Sequence, residues 1–217
     1  MSPLDPLDPL EVEFLFDFGS PNAYLAHRVI PEIEVRTGAR FEYVPILLGG
    51  VFKLTGNASP AVTMTPIKNR FEYETLEMRR FIELHGLQTF TMNPHFPVNT
   101  LPLMRGATFA RRQPFFAAYV DVVFRAMWEA ELDLGDPDVF RRTLETGGLD
   151  ADAVIAGVRE PDIKAELIAS TESAVERGVF GAPSFFVDGE LFFGKDRLEQ
   201  VEAEILTRRP GARDESE

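Results

Sequence analysis

Apolar residues recur along this chain in two rhythms, and the switches between them divide it. Val12–Phe18 is almost continuously apolar, as a buried strand would be, and Gly19 stops it. Tyr24, Leu25, Val29 and Ile33 then follow at near-helical spacing. They predict a helix from about Pro21 to Thr37, kinked or interrupted at Pro31 and ended by Gly38. Phe41–Leu48 reads as a second strand. Strand, helix, strand over this length is a βαβ unit with parallel strands and a right-handed crossover. Val51–Pro66, after Gly49-Gly50, reads as a long polar loop, the kind that is usually functional or disordered. From Lys68 the rhythm turns helical. Helices are expected at Lys68–His85, Leu103–Arg112, Pro114–Glu131 and, more briefly, 136–145, 150–158 and 161–177, with an irregular Pro-containing loop over 87–99. The strand rhythm returns at Ser184–Val187 and Glu190–Phe193. Asp188-Gly189 between them is a strong hairpin signal, and Lys195–Leu206 closes the pattern as a helix.

Composition narrows what such a chain can do. Its 217 residues are 45 % hydrophobic, enough for one large domain or one domain with an insertion. Cysteine is absent, which excludes a disulfide, a thiolate metal site and a protein thiol nucleophile. His27, His85 and His95 show no metal-ligand spacing, so no metal is expected. A net charge of −13 argues against nucleic acid and anionic membranes as partners. It also means that an anionic substrate needs local cations. The lysines are few: Lys53, Lys68, Lys164 and Lys195. No run is long enough to span a membrane. Residues 1–10 are acidic and Pro-rich without the features of a signal peptide, and read as a disordered leader of a cytoplasmic protein. Residues 208–217 read as a flexible tail.

The chemistry-bearing stretch is Ser20-Pro21, at the junction of the first strand and helix. Ser is a preferred N-cap and Pro a preferred first helical residue. A helix N-terminus offers unpaired N–H groups and partial positive charge to an anion. A thiolate held there would be stabilised. The same dipeptide also suits any ordinary capped helix.

The order βαβ, helical block, ββα resembles a thioredoxin fold with an all-helical domain inserted between its halves. On that reading the fold class is α/β, with residues 11–50 and 178–207 forming the thioredoxin-like part and 51–177 the insertion. Where disulfide enzymes of that superfamily carry Cys-x-x-Cys, this chain reads Ser20-Pro21-Asn22-Ala23. Phe16–Ala26, Gly49–Asn57, Lys68 with Tyr73, Val179–Ser184 and Phe193–Leu198 together resemble the 2-hydroxychromene-2-carboxylate isomerases, relatives of the kappa-class glutathione transferases. The resemblance implies glutathione as cofactor, its thiolate hydrogen-bonded by Ser20. It implies a cis bond between Ala182 and Pro183, with Ala182 backbone groups pairing with the cysteinyl part. Phe193, Gly194, Lys195 and Asp196 would hold the γ-glutamyl end, Gly194 contributing free N–H groups and Asp196 taking the ammonium or pairing with a neighbouring cation. Lys53, supported by Asn57, would meet the carboxylate or keto oxygen of a small aromatic substrate, the alternatives being a solvated loop lysine for Lys53 and, equally, a turn residue for Asn57. Lys68 and Tyr73 suit packing of the helical block, with Lys68 facing the cleft as the alternative, while Asn93 and Asn99 are remoter substrate contacts. A homodimer is implied as well. Isomerisation, kappa-like conjugation and a binding module without catalysis all remain open from sequence.

Overall fold

The computed structural model describes residues 10–64 and 66–208. The expected leader, except Leu10, and the expected tail, except Arg208, lie outside these residues. Four strands form one sheet in the order β2-β1-β3-β4: β1 (Glu11–Phe16), β2 (Arg40–Pro45), β3 (Ser184–Val187) and β4 (Glu190–Phe193). β1 and β2 run parallel with Phe14 opposite Tyr43, whereas β1–β3 and β3–β4 are antiparallel. This is a mixed α/β sheet of thioredoxin type.

The apolar run of β1 has a direct cause, since both faces of the sheet are covered. Val12, Phe14 and Phe16 join Phe185 and Val187 on one face, against α1 (Pro21–Thr37). Leu15 and Phe186 join Ile46, Val51 and Val179 on the other. Aromatic rings fasten the first face. Phe14 stacks on Phe16 and Phe185 and meets Tyr43 edge-on at 4.8 Å. Phe18 meets Phe124 edge-on at 4.7 Å.

Helix α1 begins and ends as its caps demand. The Ser20 hydroxyl accepts the Ala23 N–H at 3.1 Å, Pro21 opens the first turn, and Gly38 closes it at φ 62° with its N–H on Glu34 O. Pro31 neither breaks nor ends the helix, contrary to expectation. It lies on the exposed face, where a carbonyl that loses its helical partner can bond to water.

The helical block runs between β2 and β3. It comprises α2 (Leu48–Thr55), α3 (Pro60–Thr63), α4 (Arg70–Leu84), α5 (Leu101–Ala110), α6 (Phe116–Trp128), α7 (Pro137–Thr146), α8 (Ala151–Gly157) and α9 (Pro161–Glu176). A short 3-10 turn, Lys195–Arg197, leads into α10 (Leu198–Arg208). Helix α6 is the bridge between block and sheet. Its Phe124 reaches Phe16 and Phe18, and Trp128 donates its indole N–H to Phe18 O at 2.8 Å.

Two expectations for the block change. The second strand stops at Pro45, and the first residues of the expected Val51–Pro66 loop belong instead to α2. In α4, the expected apolar stripe is not a buried face. Phe81 is its one buried residue, while Phe71 is 60 % and Tyr73 52 % exposed. Tyr73 therefore does not pack the block, and Lys68 too is exposed.

Gly106 on α5 tests the packing of α5 against α6. A β-carbon there would run into the Tyr119 phenol, which is fully buried and donates to Leu103 O at 2.7 Å. Gly106→Ala should cost about 2 kcal/mol through overpacking, after a helix-propensity gain of up to about 1 kcal/mol. That corresponds to a fall of about 4–8 °C in Tm for a chain of this size. An unchanged thermal unfolding midpoint would contradict this packing.

Candidate functional site

Ser20 sits at the C-terminal edge of the sheet, where the chain leaves β1 and turns into α1. It is 5 % exposed. Its hydroxyl has two partners: it accepts from Ala23 N–H and donates to Ala182 O at 2.9 Å. That second bond joins residues 162 positions apart in sequence. The peptide between Ala182 and Pro183 is cis. The first turn of α1 and the loop before β3 thus face each other across one hydroxyl.

The supply of N–H donors at this helix mouth is smaller than the helix alone suggests. Pro21 has none. The N–H groups of Ala23 and Tyr24 both bond to Ser20 O. The Asn22 N–H remains open among the described residues. Asn22 also carries a buried side-chain oxygen without a partner. A donor and an acceptor therefore stand unused two positions beyond Ser20, within the first turn.

Asp17 holds this turn in place. Its carboxylate is fully buried and accepts Gly19 N–H and Leu48 N–H, each at 2.8 Å, with the Thr100 hydroxyl beside it. One side chain thus ties the turn before Ser20 to the start of α2 and the head of α5. Burial pushes its pKa above the ordinary carboxylate value, against the lowering effect of its hydrogen bonds. The Asp17 position was missed in the sequence reading. The usable signal was an acidic residue inside an otherwise apolar run, Phe14-Leu-Phe-Asp-Phe.

A family model described as a DSBA-like thioredoxin domain matches residues 11–206. A 2-hydroxychromene-2-carboxylate isomerase of Sphingobium xenophagum is 32 % identical over 195 residues, covering 90 % of this chain and 97 % of that protein. The chain belongs to the DSBA-like thioredoxin family, with the 2-hydroxychromene-2-carboxylate isomerases. A solved structure of such an isomerase superposes with a TM-score of 0.74 at 28 % identity, covering 89 % of this chain and 93 % of that one. Human glutathione S-transferase kappa 1 is 26 % identical, with 88 % of each chain covered.

Against this family frame, the remaining candidate residues fall into three places. Phe193 and Gly194 lie beside the cis-Pro loop. Gly194 does not present a free N–H, because that group donates to Pro183 O at 2.9 Å. Gly194 has φ 94° and leads into the 3-10 turn, where the N–H groups of Lys195 and Asp196 are the open ones. Phe193 is partly exposed and packs on Phe180, ring centroids 4.3 Å apart. Lys195 is 4 % exposed and ion-paired with Asp196, so Asp196 already has a cation. The Lys195 ammonium lies 4.7 Å from the centre of the Phe81 ring, in a cleft of about 240 Å³ between α1, α4 and α10. His85 lies tilted against the same ring, and burial lowers its pKa.

Lys53 and Asn57 are exposed. Lys53 stands in the last turn of α2 and not on a loop, whereas Asn57 lies in the short loop just beyond the Gly56 cap. Asn93 is structural: its amide donates to Met127 O and Leu132 O and accepts His95 N–H. Asn99 accepts Leu101 N–H at the head of α5. His27 meets the Tyr43 hydroxyl at 2.8 Å and stacks on Phe124. Among the described residues no group of three or more His, Asp or Glu side chains gathers as a metal site.

The raised pKa of Asp17 makes a signed prediction. Between its unfolded value and its higher folded value, the native state holds the proton that the unfolded state has released. Stability contributed by this group is therefore full below the unfolded value and falls as pH rises through the folded one. Urea unfolding from about pH 4 to neutrality should show wild type losing stability relative to Asp17→Asn as pH rises. Parallel curves would show that the carboxylate is not perturbed.

Proposed function

We propose that this protein is a glutathione-dependent isomerase of an aromatic carboxylate, of the 2-hydroxychromene-2-carboxylate to trans-o-hydroxybenzylidenepyruvate type. The observation that carries the proposal is the Ser20 hydroxyl at the mouth of α1, bonded to the carbonyl before cis-Pro183 in a chain without cysteine. A thioredoxin-type mouth with a hydroxyl in place of a thiol can position a sulfur brought by a ligand. The kinship with isomerases and kappa-class transferases supports this reading.

The residues present fit glutathione. Among the described residues the buried Asn22 oxygen has no donor, and no backbone partner takes the Asn22 N–H. Both suit a peptide-like ligand at this spot. Ala182 would pair its backbone with the cysteinyl unit, beside Pro183. Phe193, Gly194 and the open N–H groups of Lys195 and Asp196 would hold the γ-glutamyl end. Its ammonium would compete with Lys195 for Asp196.

When bound, glutathione supplies a nucleophilic thiolate for reversible addition to a conjugated double bond, which permits rotation and returns the cofactor unchanged. The chain supplies the setting. A ligand N–H that takes over the Ala182 carbonyl frees the Ser20 hydroxyl to donate to sulfur. Ser20 and the Asn22 N–H then stabilise the anion, aided by the α1 dipole. Asp17 keeps Ser20 in register with α2. Lys53 and Asn57 line the substrate side in this proposal, with Lys53 meeting the carboxylate or keto oxygen. The assembly is a homodimer, supported by the exposed apolar side chains Val62, Ile67, Phe71 and Tyr73. A cytoplasmic location accords with the finding that no helix among the described residues is long and apolar enough to cross a membrane.

The test is ring-opening of 2-hydroxychromene-2-carboxylate followed by absorbance, with and without glutathione. Acceleration should require glutathione and leave its concentration unchanged. Ser20→Ala should reduce kcat by about 10²-fold, the scale of losing one donor to a developing anion. No acceleration by glutathione would overturn the isomerase reading. Consumption of glutathione with an adduct visible by mass would instead favour conjugation of the kappa type.

A further inference from the structure

Arg105, on α5, is a guanidinium with no anion beside it among the described residues. Its neighbours in sequence pair readily: Arg111 with Glu42, and Arg112 with Asp162 and Glu166. No ion pair or hydrogen bond engages Arg105 among the described residues, and its Nε is buried with nothing to donate to. The other described arginines lie within 4.0 Å of a carboxylate or are exposed, as Arg40, Arg142, Arg159 and Arg197 are. In a chain of net charge −13 a partly buried cation left single is the exception. Burying charge without a partner is unfavourable, and such an orphan calls for a missing ligand or ion.

Its place in the fold suggests which. The head of α5 abuts the residues just before Ser20. Thr100 packs its methyl against Gly19, leaving only 3.1 Å for a β-carbon there, and the Met104 sulfur accepts Phe18 N–H at 3.4 Å. Arg105 directly follows Met104. It lies on the α5 stripe Leu101, Arg105, Thr108, in the half of the helix nearer the Ser20 turn. The residue as a whole keeps some exposure, so the outer end of its fork opens outward from the buried Nε. A planar fork of donors matches a carboxylate in two parallel hydrogen bonds, which a lysine cannot reproduce.

We propose that Arg105 receives the carboxylate of the substrate, which places the reacting double bond toward the Ser20 turn. Lys53, exposed on α2, then contributes long-range attraction or a contact to the keto oxygen. The identity of that carboxylate rests on the isomerase reading; the existence of the anion site does not.

The probe is chroman-2-carboxylate, a saturated analogue that cannot isomerise, compared with its methyl ester. Binding is measured by calorimetry in the presence of glutathione. Wild type should bind the acid more tightly than the ester. Arg105→Gln should weaken the acid by about 10- to 100-fold, as expected for losing a charge-assisted pair, and leave the ester and glutathione unchanged. Arg105→Lys should fall between. Equal affinity of acid and ester in wild type, or undiminished acid binding in Arg105→Gln, overturns the proposal. A second measurement needs no variant. Phenylglyoxal should label Arg105, and the acid but not the ester should protect it, read by peptide mass. Labelling that the acid does not change overturns the proposal even if Arg105→Gln fails to fold. These readouts involve no turnover, so a failed ring-opening assay removes the isomerase reading while leaving the anion site to stand or fall separately.

Discussion

One buried carboxylate organises this molecule around its helix mouth. Asp17 leaves the apolar run of β1 with no water to solvate it and takes its hydrogen bonds from the backbone of two separate segments. An unpaired carboxylate in that place would be strongly destabilising, so the segments that satisfy it are held where they are. The turn that carries Ser20 and the helix that carries Lys53 therefore have fixed positions relative to each other. The position of Ser20 depends on this strap as much as on its own helix cap.

The same device explains what the sequence concealed. Gly49-Gly50 is an ordinary stop signal, yet both residues lie in α2. The helix starts there because distant side chains supply its caps: Asp17 takes Leu48 N–H, and the Thr171 hydroxyl takes Leu47 N–H at 3.0 Å. Gly50 is needed for closeness, since a β-carbon would stand 3.1 Å from the Thr171 methyl. Local propensity cannot report a cap contributed from more than a hundred residues away. The hairpin at Asp188-Gly189 and the start of α1 were legible because their causes are local, in turn chemistry and capping.

The candidate site divides in the same manner. Ser20 and the Ala182-Pro183 loop could be named from the sequence because motifs mark them. Their meeting through a single hydrogen bond is tertiary. Lys195 shows the opposite case: its place in the chain suggested a ligand contact, but its side chain is engaged with Asp196 and the Phe81 ring. Arg105 carried no motif at all. Its isolation becomes visible only once every neighbouring cation has been matched with an acid, because charge bookkeeping along a sequence says nothing of which pairs form in space.

The bond from Ser20 to Ala182 has a further consequence. In the structure this hydroxyl already donates to Ala182 O, so under the proposed function an arriving peptide would have to trade places with an internal partner. What it would gain at the mouth is the difference between two hydrogen bonds of similar kind, and the proposed function then implies only a modest hold on the thiol carrier. The same bond also latches the two halves of the fold together at the helix mouth, holding the first turn of α1 against the cis-Pro loop.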